Sequence, residues 1–333
     1  MRLRTRLTGL QHPEASHDTG QAPFFEGWYV KSVSQDQRHR LALIPGIFRS
    51  DTGVTEAFVQ VLDGATGNSW FVSFPAEQYA SSNDRFAVSV GPNRFDATGY
   101  SVSLPANDSI GFPGLSGTVD YSTPMDSWPT SVRSPGAMGW YAYVPRMECY
   151  HGVVSFGHLL DGSLTFGDKP LGFTDGKGYI EKDWGQAFPR GYVWMHSNSF
   201  SNPNTSLMGS LAVIPWLRGE FPGLLLGLRT EHGLARFATY TGAKVQHLHI
   251  SDHEVELVVQ DRGKHRLELI AERTQGALLH APIRTEMHKR VEETLDARIL
   301  LRLTDNAGTV LLEDIGQVGG LEVHGDVERL HAT

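Results

Sequence analysis

Between Gly178 and Asn198 the chain reads GYIEKDWGQAFPRGYVWMHSN, setting Glu181, Asp183, His196 and Asn198 among Tyr and Trp side chains, Tyr179, Trp184, Tyr192 and Trp194. Ionisable groups taken out of water beside such rings must be hydrogen-bonded, or must shift pKa and become neutral. A carboxylic acid held protonated against aromatic walls can protonate an unreactive carbon, so the segment reads as the wall of a site. It also reads as two ordinary strands, with Trp and Tyr in the core and Glu181, Lys182 and Asp183 solvated at a turn. A second dense cluster, RMECYHGVVSFGH from Arg146 to His158, crowds Glu148, Tyr150 and His151 before a strand. Alternation puts Glu148 and Tyr150 on one face, Cys149 and His151 on the other. His151 can orient or reprotonate a catalytic acid, or it can be a core histidine bonded to a backbone carbonyl. In a third cluster, FFEGWYVK from Phe24 to Lys31, Glu26, Trp28 and Lys31 can line a pocket mouth. Glu26 and Lys31 can equally form a surface pair worth under ~1 kcal/mol.

Other chemistries lose support. QHLHISDH carries His247, His249 and His253, with the first two on one strand face, a legitimate metal arrangement. It lacks an aromatic pocket, so a solvated face is expected and no metal is assigned. Neither a phosphate loop, nor G-x-G-x-x-G, nor G-x-S-x-G occurs. A net charge of -8 with 29 Lys and Arg offers no basic stripe, which argues against nucleic acid and against strong electrostatic docking to anionic lipid. A neutral or apolar ligand fits better. Cys149 is the single cysteine, so there is no disulfide framework and a reducing, cytoplasmic setting is expected.

The elements that must position these residues are strands. Phe86, Val88 and Val90 alternate, as do Tyr100, Val102 and Leu104, and Leu295, Ala297, Ile299, Leu301 and Leu303. DGATGN, GPNRFDATG, DGS, TDGKG, DRGKH and DNAGT read as hairpin turns, consistent with 36 Gly and 17 Pro. The one helical candidate is the short run Glu286–Thr294. At 333 residues two domains are expected. FFEGWYVK with LALIPG echoes YVWMHS with LAVIPW, suggesting two related antiparallel barrels or sandwiches. The expected boundary divides residues 1–177 from 178–333 and puts the opening segment at the junction, where ligand pockets are common. The N-terminus has no signal-peptide core, and Trp216–Leu228 is too short and interrupted to span a bilayer, although it can touch one peripherally.

Taken together, PFFEGWYVK, MECYHGVVS, GYIEKDWGQAFP, VWMHSNSF and the tail segments EETLDARILLRL and GGLEVHGDVERL resemble the tocopherol cyclase family over nearly the whole chain. The resemblance implies an all-β fold of two lipocalin-like domains with few short helices. It implies closure of a chroman ring on a prenylated hydroquinone: a side-chain alkene is protonated and the phenol oxygen captures the cation, without redox cofactor or metal. The partner is then a lipophilic small molecule. More distantly the chain looks like the carotenoid 1,2-hydratases, which use a carboxylic acid in a Tyr-x-Asp motif after an essential His. Tyr179-Ile180-Glu181 matches with Glu for Asp, His151 precedes it by 28 residues, and Val153 stands where a Trp is expected. Glu181 is thus expected to donate the proton, with Tyr179 and His151 positioning it and Asp183 the alternative acid. Trp28, Trp184 and Trp194 are expected to face the cation, His196 and Asn198 to hold the hydroquinone oxygens, and Glu26 to bind substrate at the pocket mouth. The rival readings are a hydratase or another cyclase of a polyene, and a non-catalytic carrier of lipophiles.

Overall fold

The computed structural model describes residues 12–331 apart from Arg133, Leu217 and Lys264, so most of the N-terminal stretch read for a leader lies outside the described residues. Among them the chain is all-β, its helical elements single 3-10 turns. The first sheet is built from β1 (Phe24–Val33), β2 (Arg40–Arg49), β3 (Thr55–Asp63), β4 (Asn68–Pro75), β5 (Tyr79–Ser81) and β6 (Ala87–Val90). It continues through β7 (Asn93–Asp96), β8 (Gly99–Leu104), β9 (Leu115–Tyr121), β10 (Cys149–Phe166), β11 (Lys169–Gly172) and β12 (Gly176–Gly185). The second holds β13 (Gly191–Ser197), β14 (Ser206–Trp216), β15 (Gly219–Thr230), β16 (Gly233–Ala238) and β17 (Lys244–Ile250). Its remaining strands are β18 (Glu254–Gln260), β19 (His265–Glu272), β20 (Ala277–Pro282), β21 (Met287–Asp305) and β22 (Val310–Gly325).

The order is β4-β3-β2-β1-β12-β10-β9-β8-β7-β6-β5 in one sheet and β16-β15-β14-β13-β22-β21-β19-β18-β17 in the other. Both paths start as a four-strand meander and then set the first strand beside the last, β1 against β12 and β13 against β22. This is the echo read in the sequence, and neither path returns on itself to close a barrel. The alternating residues fill the cores as expected: Val88, Tyr100, Val102 and Leu104 in one, Ala297, Ile299 and Leu301 in the other.

Four details differ from the sequence reading, the first being that GPNRFDATG is not one turn but carries the strand β7. The units divide as Met1–Phe188 with Leu278–Arg290, and Pro189–Ala277 with Val291–Thr333, so the boundary is not at 177/178. Pairing of β12 with both β1 and β10 makes the Glu-Lys-Asp-Trp strand central to the first unit. The run Glu286–Thr294 is strand and not helix, because Val291, Leu295 and Ala297 continue one buried alternation. DGS lies inside β10, where Gly162 takes φ 129 and a Cβ would stand 2.4 Å from the Thr118 carbonyl oxygen. Leu224, Leu226 and Leu228 of the apolar Trp216–Leu228 stretch pack into the second core. Among the described residues no helix is long and apolar enough to cross a membrane.

What fixes β12 is a buried charge pair on one of its faces. Period-2 alternation puts Lys182 and Trp184 on the side that β1 lines with Trp28 and Glu26. Lys182 Nζ lies 2.7 Å from Glu26 Oε1, and both side chains are fully buried. The ammonium also donates to the Ala15 carbonyl oxygen and to His17 Nδ1, the latter at 2.8 Å. Glu26 in turn accepts from Ser16 Oγ at 2.6 Å and from the His17 backbone N–H at 2.7 Å. Trp28 Nε1 donates to the Glu14 carbonyl oxygen at 2.8 Å. One ion pair therefore straps the segment 13–17 across the sheet. Burial alone would raise the Glu26 carboxyl, but Lys182 and His17 outweigh it and hold it at about 2.

Removing one partner leaves the other charged and buried, so Lys182→Met should cost about 3–5 kcal/mol in urea unfolding, whereas Glu26→Gln combined with Lys182→Met should recover most of it. A folded-state value below the ordinary 4.5 means the carboxylate's contribution is complete above pH 4.5 and lost as pH falls through about 2.

Candidate active site

The odd residues of β12 point to the opposite face. There Tyr29 of β1 stands in register with Glu181 and Gly27 with Asp183, while β10 supplies His151 opposite Asp183. His151 Nδ1 is 2.9 Å from Asp183 Oδ1, and its Nε2 is 3.6 Å from Glu181 Oε2. Tyr179 Oη donates to Glu181 Oε2 at 2.6 Å. The four side chains form one line, Asp183 to His151 to Glu181 to Tyr179, with the Glu181 side chain 6% exposed and that of Asp183 25%.

Burial pulls the His151 imidazole down, but Asp183 and Glu181 on its two sides outweigh it and raise it to about 9. At neutral pH the imidazole therefore carries a proton between two carboxyl groups. Tyr179 is pushed well above its ordinary value by burial and by Glu181, so it stays a phenol and a donor. Cys149 is likewise raised, by burial and by Asp183, and stays a thiol. His151 thus holds a proton at the site, a point the sequence reading, which made aromatic burial of Glu181 the source of acidity, did not reach.

Cys149 joins this polar line to an apolar wall. Its Sγ is 3.8 Å from Asp183 Oδ1, and it packs with buried Phe25, Phe48 and Phe58 and with Phe188. Phe25 meets Phe188 edge-on at 5.3 Å, and Phe58 stacks on Phe71 at 5.0 Å. Gly27 and Gly46 pair in register beneath. A Cβ on Gly46 would come 2.5 Å from Phe58 Cζ, so glycine is what lets this ring lie on the sheet. These phenylalanines and Tyr29 were missed in the sequence. The available signal was a glycine inside each of two aromatic strands, FFEGW and IPGIF.

The other proposed residues fall elsewhere. Trp28, Glu26 and Trp184 are on the reverse face, where Lys182 Nζ lies 4.7 Å from the Trp28 ring and 4.6 Å from the Trp184 ring. Trp184 is sandwiched between His17 at 4.2 Å and Tyr150 at 5.5 Å. Lys31 shares the acid face beside Tyr179 and is not the partner of Glu26. Trp194, His196 and Asn198 belong to the second unit, where His196 is fully buried and Tyr192 Oη donates to Glu322 at 2.6 Å. His247, half-exposed and 3.2 Å from Glu256, lies on the solvated face expected of it.

A model of the tocopherol cyclase-like family matches residues 22–325. The chain belongs to the tocopherol cyclase-like family. It is 27% identical over 129 residues to a protein of Oryza sativa subsp. japonica named "Probable tocopherol cyclase, chloroplastic". It is 29% identical over 132 residues to the tocopherol cyclase, chloroplastic, of Zea mays. Each match takes in 37% of this chain and 27% of the relative, so about a quarter of these curated relatives' length is spanned. Among solved structures, an AttH protein of Nitrosomonas europaea superposes with TM-score 0.53 at 14% identity, covering 91% of this chain and 93% of its own. CghA superposes with TM-score 0.53 at 11% identity, over 91% and 88%. Both likenesses show the fold.

In this member of the tocopherol cyclase-like family, His151, Glu181 and Asp183 each offer a ligand atom within 4.8 Å of the others, the spacing of a metal site. The two carboxyl groups face different ring nitrogens, however, whereas one ion takes one nitrogen. The arrangement suits a protonated imidazole held between two carboxyl groups better than a cation at a centre.

The imidazole of His151 should titrate near pH 9 by NMR, and Asp183→Asn should bring it down toward the ordinary 6.5. Because the folded value is raised, the stability it contributes is complete below pH 6.5 and lost as pH rises through about 9.

Proposed function

We propose that this protein is an intramolecular cyclase, an isomerase that protonates the side-chain alkene of a prenylated hydroquinone and closes a chroman ring. The observation that carries the reading is the line Asp183–His151–Glu181–Tyr179 on a sheet face that continues into the phenylalanine wall. His151 passes its Nε2 proton to Glu181, which delivers it to the alkene carbon as a carboxylic acid. Asp183 holds Nδ1 and so fixes which nitrogen gives up its proton, and Tyr179 orients the Glu181 carboxyl. The alkene's electron pair takes the proton, leaving a tertiary cation beside Phe25, Phe58 and Phe188, whose ring faces are worth of the order of ~1–2 kcal/mol each toward a cation. The phenol oxygen then forms the C–O bond and its proton returns to the carboxylate. Substrate and product are isomers, so no oxidant, reductant or water is consumed. Exclusion of water decides for the tethered phenol, whose effective concentration is high.

Turnover of prenylated hydroquinones in heavy water tests this. The expected product is isomeric with the substrate and carries one solvent deuterium on carbon. Added water in the product would make the protein a hydratase, and unchanged substrate would make it a carrier. Glu181→Gln should keep fold and ligand binding and lose ~10²-fold or more in turnover. The wild-type rate should fall as pH rises through about 9, where His151 loses its proton. Full activity in the Glu181 variant would move the donor to Asp183.

A further inference from the structure

The segment between β9 and β10 carries a surface that the proposed chemistry leaves unused. Val132, Trp140 and Tyr143 are 85%, 44% and 42% exposed. Gly139–Tyr143 forms a 3-10 helix, in which residues three apart eclipse one another, so Trp140 and Tyr143 share a face. The Tyr143 hydroxyl donates to the Val132 carbonyl oxygen and brings that valine to the same patch. Trp140 also stacks on Tyr141 at 4.0 Å. Charge along this stretch is unusual for the chain. From Ser127 to Met147 there is no Asp or Glu but there are two arginines, Arg133 and Arg146, in a protein of net charge -8. Arg146 is exposed.

Large apolar side chains gathered in one exposed place mark a contact surface. Trp and Tyr, with apolar bodies and polar edges, are the side chains of membrane–water interfaces, and the exposed guanidinium of Arg146, three residues along the chain from Tyr143, matches a lipid phosphate. Within this stretch no carboxylate opposes an approach to an anionic surface, and charges farther than about 8 Å away are screened at physiological salt. The segment also feeds directly into the site strand: Tyr150 Oη donates to the Val144 carbonyl oxygen at 2.5 Å, and His151 is the next residue.

We propose that Val132, Trp140, Tyr143 and Arg146 form a docking surface for a lipid bilayer, from which a lipophilic substrate is drawn; the second clause rests on the function proposed above. Co-sedimentation of the full chain with phosphatidylcholine vesicles, without and with phosphatidylglycerol, tests it. Wild-type protein should sediment with both. Trp140→Ser with Tyr143→Ser should weaken partitioning to both by about tenfold or more, since binding scales with inserted apolar area. Arg146→Glu should weaken binding to the phosphatidylglycerol vesicles by roughly fivefold or more, and less to the others. Unchanged melting temperatures would show that the variants fold. Equal partitioning of wild type and the double variant overturns the proposal, as does failure of wild type to bind either vesicle. So does a dimer in sedimentation velocity that the double variant dissolves, because the patch would then bind a second copy. Turnover of detergent-dispersed prenylated hydroquinone on the same proteins keeps the two readings apart. Vesicle binding without turnover supports docking and removes the cyclase reading; turnover without vesicle binding does the reverse.

Discussion

The buried pair Glu26–Lys182 is the constraint on which the first unit depends. Two charges taken entirely out of water are tolerable only if each meets its opposite and its remaining hydrogen bonds are filled. Here Ser16, His17 and the Ala15 carbonyl fill them, so the segment 13–17 is held down as part of the same solution. The pair joins the first strand of the unit to the last. Once Lys182 is pinned inward by Glu26, strand alternation sends Glu181 and Asp183 outward to the other face. No separate device is needed to aim them.

On that other face the same physics acts on a proton. Asp183 and Glu181 flank one imidazole, and their combined field retains a proton that burial would otherwise expel. The clamp and the acid line thus sit back to back on one strand, the first closed by an ammonium that its surroundings fill with acceptors, the second closed by a proton that can leave. Trp28 and Trp184 belong to the clamp, since their ring faces already meet the Lys182 ammonium. Phenylalanine takes the place beside the acids. Lacking a polar atom, it can pack flat over Gly27 and Gly46 without requiring a hydrogen-bond partner.

Much of the fold was legible. Hairpin turns and period-2 runs marked most strands, and the echo between LALIPG and LAVIPW marked two equivalent meanders, because turn chemistry and alternation are local properties. The misreadings have one origin. DGS looked like a turn because Gly is common in turns, but Gly162 is needed where β9 comes too close for a Cβ. Glu286–Thr294 was read as a short helix, but β21 is pleated so that Glu292 and Asp296 alternate with buried Val291, Glu293, Leu295 and Ala297. In both, a neighbouring strand overrode the local pattern.

The sequence by itself determined the all-β class, the family, and which residues share a face of β12: Tyr179, Glu181 and Asp183 on one side, Lys182 and Trp184 on the other. It also put Cys149 and His151 on one face of β10. Tertiary structure alone decided which face became clamp and which became acid line, that Glu26 meets Lys182 and not Lys31, and that phenylalanines from β1, β2 and β3 adjoin the acids. Alternation is a property of one strand and is written in its own residues. Partnership is a property of register between strands far apart in the chain, and it is settled only when burial forces every charge to find its opposite.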